Sequence, residues 1–361
     1  MNQKKVVLVT GAVVGALSVL LMKAGNPANM GICVACFIRD IAGALGMHRA
    51  EIVQYIRPEV PGFILGSFMA AVVGGEFKAR GGSSPLLRFI LGFFVMLGAL
   101  VFLGCPLRMV LRLAGGDLNA LVGLAGFTAG IWVGLQFLKG GFSLGKSSKV
   151  AVANGYVLPV VSVVLLILLV TAPPFIFFSQ KGPGSMHAPW LMALAAGIVV
   201  GVLAQRSRLC MAGGIRDLFL IRDPHRFRGF VMIFVVALVF NMAFGSFKLG
   251  FAEQPVAHSD GLWNFLSMML VGFGSVLLGG CPLRQCILAG EGDADAAVSF
   301  LGMLTGTAFA HNFSIAASPN GVTPNGKFAV ILGLVVVTVI GYLSMPRSVA
   351  LKTKEEAQHA L

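Results

Sequence analysis

Charge is what this chain has least of. Asp, Glu, Lys and Arg make up 11% of its 361 residues, whereas a soluble domain carries about a quarter. Acidic residues are the scarcer kind, 14 against 27 basic ones. There is no nucleotide-binding motif, so ATP would have to come from a partner. There is no basic amphipathic domain either, so the net charge of +13 does not argue for nucleic acid. Cysteines in polar loops are absent as well. The six present, at 33, 36, 105, 210, 281 and 286, lie within or at the ends of apolar stretches, which argues against a structural disulfide framework. Cys33 and Cys36 form a Cys-x-x-Cys with no second such pair, and neither a metal nor another cofactor is expected.

Apolar sequence fills the space. Hydrophobic residues reach 57% and glycine numbers 47, with a mean hydropathy of +0.88. This composition describes an all-α integral membrane protein whose helices pack closely in lipid. Runs long enough to span, which takes about 20 residues, fall at 6–23, 60–77, 88–104, 118–138, 152–178, 189–204, 228–248, 262–280, 293–312 and 327–346. Lys4 and Lys5 precede the first run as they would in a signal peptide. That run is long enough to span and no small-residue cleavage site follows it, so it is read as a span. Four further segments, 26–46, 105–116, 205–221 and 281–292, are too apolar for loops and too short or interrupted to cross.

With ten spans and a cytoplasmic N-terminus, 18 of the 27 basic residues fall on the inside, including Lys78, Arg206, Arg208, Arg222, Arg226, Arg228, Arg347, Lys352 and Lys354. The positive-inside rule therefore favours both termini in the cytoplasm of a bacterial inner membrane. Arg49 and Arg57 fit least well, because they would face outward.

The chain also repeats itself. CVACFIRDI from Cys33 aligns with CMAGGIRDL from Cys210, an offset of 177, matching Arg39 with Arg216 and Asp40 with Asp217. GCPLR from Gly104 aligns with GCPLR from Gly280, an offset of 176 that also pairs Asp117 with Asp293, Gly126 with Gly302 and Gly130 with Gly306. The expected organisation is a first half at 1–138, a linker with one span at 139–188, a second half at 189–312, and a last span with a cytoplasmic tail at 313–361. One linking span turns the second half over, so 26–46 and 105–116 would enter from outside and 205–221 and 281–292 from the cytoplasm. Inverted repeats with broken helices meeting at the midplane are a recurring transporter design, and irregular backbone is tolerated there only where it is buried or lines a cavity.

The Gly-Cys-Pro-Leu-Arg motif has a physical reading. Pro106 and Pro282 suit the first position of a helix, which puts Cys105 and Cys281 at the cap, against unpaired backbone N–H groups. Such a terminus is partly positive and attracts anions, so the thiols are expected to be polarised. Arg108 and Arg284 follow one turn later with fixed positive charge, and Gly104 and Gly280 are read as permitting the tight approach from the preceding span. Each Arg-Asp pair, Arg39–Asp40 and Arg216–Asp217, is expected to hold its segment in place before it serves any substrate. Cys36 and Cys286 have Gly213 and Val110 as counterparts and are read as packing. Asp117 and Asp293 are expected to start the helices that follow, and His311 and Asn312 to be ordinary span-end residues.

The duplicated Gly-Cys-Pro-Leu-Arg and the Cys…Arg-Asp segments resemble the YeeE/YedE family of membrane transporters, within it most of all the YedE-type selenium transporters. The likeness covers about 26–312. It implies an hourglass-shaped protein, a transporter and not an enzyme, whose re-entrant segments meet at a narrow positive centre. Thiosulfate-uptake members pass the anion inward along three cysteines, which by motif correspond to Cys33, Cys105 and Cys281. Cys210 is additional, at a segment where those members do not rely on cysteine, so the resemblance leaves thiosulfate and a selenium species both open. It also implies a cytosolic sulfur-carrier partner of the SirA/TusA type. Thiols suit a soft sulfur or selenium atom through weak S–H donation, and successive weak sites favour conduction over trapping. The competing readings are a membrane thiol oxidoreductase using the cysteines for disulfide exchange, for instance at Cys33–Cys36, and a passive anion channel.

Overall fold

The structure, a computed structural model, describes residues 3–346. The expected cytoplasmic tail, with Arg347, Lys352 and Lys354, lies outside the described residues. Fourteen helices occur among those described. The first part holds α1 (Gln3–Lys23), α2 (Val34–Ala44), α3 (Glu59–Val73), α4 (Pro85–Phe102), α5 (Pro106–Ala114) and α6 (Asn119–Lys139). After α7 (Val152–Thr171) come α8 (Trp190–Ser207), α9 (Met211–Leu220), α10 (His225–Ala243), α11 (Gly261–Leu278), α12 (Pro282–Gly290) and α13 (Ala294–Asn312), with α14 (Pro324–Leu343) last. Among the described residues the one ladder is a two-residue pairing of Arg80–Gly81 with Ser148–Lys149. The chain is an all-α, multi-pass membrane protein.

Eight helical stretches are long and apolar enough to cross a membrane, against ten expected runs. The two that fall short do so for different reasons. Helix α3 has only 15 residues and stops at Gly74, short of the expected 77. Helix α13 has 19 residues but carries Asp295 and His311, which lower its hydropathy. The run at 152–178 is also shorter than expected. Ala172 adopts φ +42° at the end of α7, and Pro173 and Pro174, which lack the N–H a helix needs, follow it.

Helices pack in exchanged pairs. The most extensive contacts join α6 to α11, α3 to α8, α4 to α13 and α1 to α10. Under the 176–177 offset α4 corresponds to α11 and α6 to α13, so the α6–α11 contact is the counterpart of α13–α4. The correspondence reaches single residues. A Cβ at Gly126 would lie 2.0 Å from Phe265 O, and one at Gly302 would lie 2.1 Å from Phe89 O; Phe89 and Phe265 are themselves 176 apart. Gly130 against Met269 O repeats as Gly306 against Phe93 O. Small residues four apart thus let the two backbones touch, the packing that lipid-embedded helices use in place of a hydrophobic driving force. Helices α4 and α11 cross each other antiparallel, with Gly98 against Val271 and Gly274 against Val95.

Candidate functional site: four thiols at short-helix N-termini

Each short helix begins on a repeat-matched cysteine. Cys33, Cys105, Cys210 and Cys281 are the N-cap residues of α2, α5, α9 and α12, all with extended backbone. Pro106 and Pro282 occupy the first helical position behind two of them, where a missing N–H costs nothing. Three of the caps follow a left-handed residue by two positions: Leu103 (φ +63°) before Cys105, Arg208 (φ +56°) before Cys210 and Gly279 (φ +86°) before Cys281. That reversal ends the long helix and frees the N–H groups of the short one. Helix α2 packs on α12 and α5 on α9.

Gly104 and Gly280, read as permitting a tight entry from the preceding span, are not themselves left-handed. The left-handed residues are Leu103 and Gly279, one position earlier. What the two glycines provide is room. A Cβ would lie 2.9 Å from Arg108 Cδ at Gly104 and 2.8 Å from Arg284 Cγ at Gly280, because each arginine stem folds back over the cap.

The thiols are paired. Cys210 and Cys281 Sγ lie 3.8 Å apart, and Cys281 N–H points at Cys210 Sγ at 3.5 Å. Cys210 Sγ also accepts from Gly213 N at 3.2 Å. In the first half Cys33 Sγ accepts from Cys36 N at 3.4 Å, while the Cys105 thiol makes no cap hydrogen bond. At Cys210 two backbone N–H groups, those of Gly213 and Cys281 at the starts of α9 and α12, converge on one sulfur, a stronger anion-attracting arrangement than a single cap. All four are at most 3% exposed, and all six cysteines are free. Cys286 is buried in the core. Cys36 is more than filler: its N–H approaches Cys33 Sγ at 3.4 Å, and its sulfur accepts from Arg108 Nη1 at 3.4 Å. The Cys-x-x-Cys spacing puts residue i+3 over the cap, and that signal was present in the sequence.

Arg108 is fully buried. Its guanidinium donates to Asn29 O at 3.1 Å, to Val256 O at 3.1 Å and to Leu103 O. Among the described residues no carboxylate comes within ion-pairing distance of it. Arg284 differs, donating to Glu291 Oε1 at 3.2 Å, a carboxylate it shares with Arg208. Glu291 and Arg208 escaped sequence reasoning because their counterparts, Gly115 and Gly31, carry no side chain.

The Arg-Asp pairs are each completed by a second arginine. Arg39 grips Asp40 Oδ1 at 2.7 and 2.9 Å while Arg57 Nε holds Oδ2 at 2.8 Å. Arg216 grips Asp217 Oδ1 at 2.8 and 2.9 Å while Arg226 holds Oδ2 at 2.9 Å. Arg57 is buried and also donates to Pro183 O and Met186 O. Asp293 caps α13 by accepting from Ala296 N and pairs with Arg80 at 2.8 Å. Asp117 accepts from Asn119 N at the start of α6 and pairs with Arg112 at 2.7 Å. His311 stacks on His48, and Asn312 donates to Met47 O.

Near the Arg216–Asp217–Arg226 group, a polar cavity of about 450 Å³ is lined by Lys4, Ser207, Arg208, Asp223, His225 and Arg226. Among the described residues, no cluster of three or more His, Cys, Asp or Glu has the spacing to hold a metal ion.

A profile of the family described as sulphur transport matches residues 206–360, which takes in Cys210, Cys281, Arg284 and the second triad. This match, over less than half of the chain, is what the chain is similar to in its second half. It is similar to the thiosulfate transporter TsuA of Escherichia coli (strain K12), 26% identical over 107 residues that cover 30% of each chain. It is also similar to the thiosulfate transporter TsuA of Spirochaeta thermophila, 28% identical over 99 residues, 27% of this chain and 29% of that one. The aligned part thus spans less than a third of either relative. A thiol stands at each of the four short-helix caps of this chain.

Proposed function

We propose that this chain is a transporter for a small sulfur- or selenium-containing anion, thiosulfate-like in chemistry, in the bacterial inner membrane. The observation that carries the reading is the placement of Cys33, Cys105, Cys210 and Cys281 at the N-caps of four short helices, two thiols to each half. The two relatives named as thiosulfate transporters support the substrate class. The chain works as two inverted halves, 1–138 and 189–312, linked by 139–188 and followed by 313–361, with both termini in the cytoplasm. The anion meets the Cys33–Cys105 pair first, from outside, and the Cys210–Cys281 pair second. Helix N-termini and Arg108 attract its charge, while the thiols give its soft atom weak S–H contacts that break easily. Two weak sites in series conduct better than one tight site. A cytosolic sulfur-carrier protein of the SirA/TusA type fits the basic cavity around Arg208 and Arg226 as acceptor. No bound cofactor enters this scheme.

Labelled-thiosulfate uptake into proteoliposomes tests the reading. Changing Cys105 or Cys281 to Ala should abolish uptake, and unimpaired uptake of sulfur and selenium anions by the double variant would overturn the scheme. The 3.8 Å separation of Cys210 and Cys281 also favours one competitor, disulfide exchange. Thiol trapping during turnover separates the two: transport leaves the thiols free, whereas exchange yields a cysteine pair oxidised in proportion to turnover.

A further inference from the structure

Glu59, the first residue of α3, is a buried carboxylate that the scheme above leaves unused. It is 1% exposed. Asp40, Asp117, Asp217, Glu291, Asp293 and Asp295 each have an arginine within 4.0 Å; Glu59 has none among the described residues. Its Oε1 accepts from Asn26 Nδ2 at 2.8 Å, and its Oε2 is buried without any partner. A buried ionised oxygen with nothing to bind is costly, whereas a protonated one leaves far less charge to solvate.

The surroundings connect this oxygen to the anion site. Asn26 uses its whole amide: Nδ2 also donates to Gly31 O at 2.9 Å, while Oδ1 accepts from Ala188 N at 2.9 Å and faces Arg57 Nη1 at 3.4 Å. Gly31 stands two residues before Cys33, and its Cα packs so tightly on Ser18 O that a Cβ would lie 1.6 Å away. The segment leading to Cys33 is therefore held rigidly by the residue that holds Glu59. The charged and titratable groups facing Glu59 are Arg57 and Tyr55 from the segment before α3 and Asp40 beside them. Arg39 pairs with Asp40, and His187 stacks on Tyr55 at 4.1 Å. Helix α8 meets Glu59 with Gly197, whose Cβ position is 3.0 Å from Glu59 Cα. Helices α12 and α7 meet α3 farther along, at Ser67 and Phe68.

Arg39 and Arg57 against Asp40 leave one positive charge. An ionised Glu59 cancels it and a protonated Glu59 restores it. We propose that Glu59 Oε2 is a proton-binding site linked to anion loading at the first-half thiols. The inference rests on the transport reading. The step is a simple protonation: the carboxylate takes a proton from water to form an O–H at Oε2, and returns it when the anion has left. Linkage is reciprocal, so the anion binds more tightly as pH falls, and its binding draws a proton from solution.

The experiment measures thiosulfate binding to the detergent-purified full chain from about pH 5 to pH 8, a window in which thiosulfate stays fully ionised and histidine is the other side chain titrating unperturbed. Infrared difference spectra are recorded alongside. The wild type should bind up to about tenfold more tightly per pH unit over part of the window, as one linked proton requires. Its spectra should contain the carbonyl band of a protonated carboxylic acid. Glu59→Gln keeps the Asn26 contact and a neutral group; it should bind thiosulfate with the low-pH affinity at every pH and lack that band. A pH-independent wild type, or a Glu59→Gln protein that keeps the slope, overturns the proton site while leaving transport standing. A wild type that binds no thiosulfate, sulfite or selenium oxyanion at any pH sinks the transport reading, and the linkage with it.

Discussion

Arg108 and Arg284 hold the same place in the two halves, yet they live in different electrostatic company. Arg108 is fully buried among carbonyls and the Cys36 sulfur. Arg284 faces Glu291, which also receives Arg208, and Arg208 in turn reaches Glu76 at 2.8 Å. Packing explains the difference. The counterpart of Glu291 is Gly115, where a Cβ would lie 2.4 Å from Asn29 Oδ1, and the counterpart of Arg208 is Gly31, where it would lie 1.6 Å from Ser18 O. The first half has no room for a carboxylate beside Arg108 at the place Glu291 takes beside Arg284. On the transport reading proposed above, a cation without a carboxylate at the first-half thiols and one beside Glu291 at the second would draw an anion in at the first and let it go at the second.

The largest expected contrast is in stability. Asp40 and both of its arginines are almost fully buried, whereas Asp217 and its arginines are 12–33% exposed. Asp40→Asn strands Arg39 and Arg57 and should cost about 3–5 kcal/mol; Asp217→Asn, screened by water, should cost about 1 kcal/mol or less. Denaturation of the purified proteins in detergent measures both, and equal losses would break the contrast. Next in size is uptake itself. Arg108→Gln should lower thiosulfate affinity about 10- to 100-fold, the loss of one charge-assisted contact worth about 1.5–3 kcal/mol, while Arg284→Gln should do less because Glu291 already offsets that charge. Labelled uptake across a concentration series reads both, and a larger effect at Arg284 reverses the polarity argued here. Smaller again is Glu291→Gln. Freeing Arg284 and Arg208 should strengthen retention at the second-half thiols about 3- to 10-fold and slow release, with the effect shrinking as salt is raised; anion efflux from preloaded vesicles at two ionic strengths measures it. Cys36→Ala should have the least effect, about twofold in affinity, since Arg108 loses one weak thiol partner of about 0.5 kcal/mol. A loss as large as that of Arg108→Gln would place Cys36 on the path itself.

The helices and their breaks were legible because their signals are local. Pro106 and Pro282 behind a cysteine announce a cap, and the 176–177 offset pairs Gly126 with Gly302 without reference to the backbones they touch. Other features depend on neighbours distant in sequence. That Arg57 belongs to Asp40 and not to water follows from α2 and the 45–58 segment folding together under Pro183 and Met186. That Glu291 guards Arg284 was hidden because the repeat offers glycine at the matching place. The span count exceeded the eight apolar stretches because α3 ends early, at Val73, and α13 carries Asp295 and His311 within an otherwise apolar run.

The glycine contacts of the exchanged helices bear on how the chain is made. Helix α6 rests its Gly126 and Gly130 on α11, and α4 offers Phe89 and Phe93 to α13, partners synthesised well over a hundred residues later. When α6 leaves the ribosome its glycine face has nothing to meet but lipid, and it stays so until α11 arrives. Assembly therefore closes late at α4 and α6, and a ribosome stalled before residue 261 would leave those two helices without α13 and α11, although α1 and α3 would already have α10 and α8.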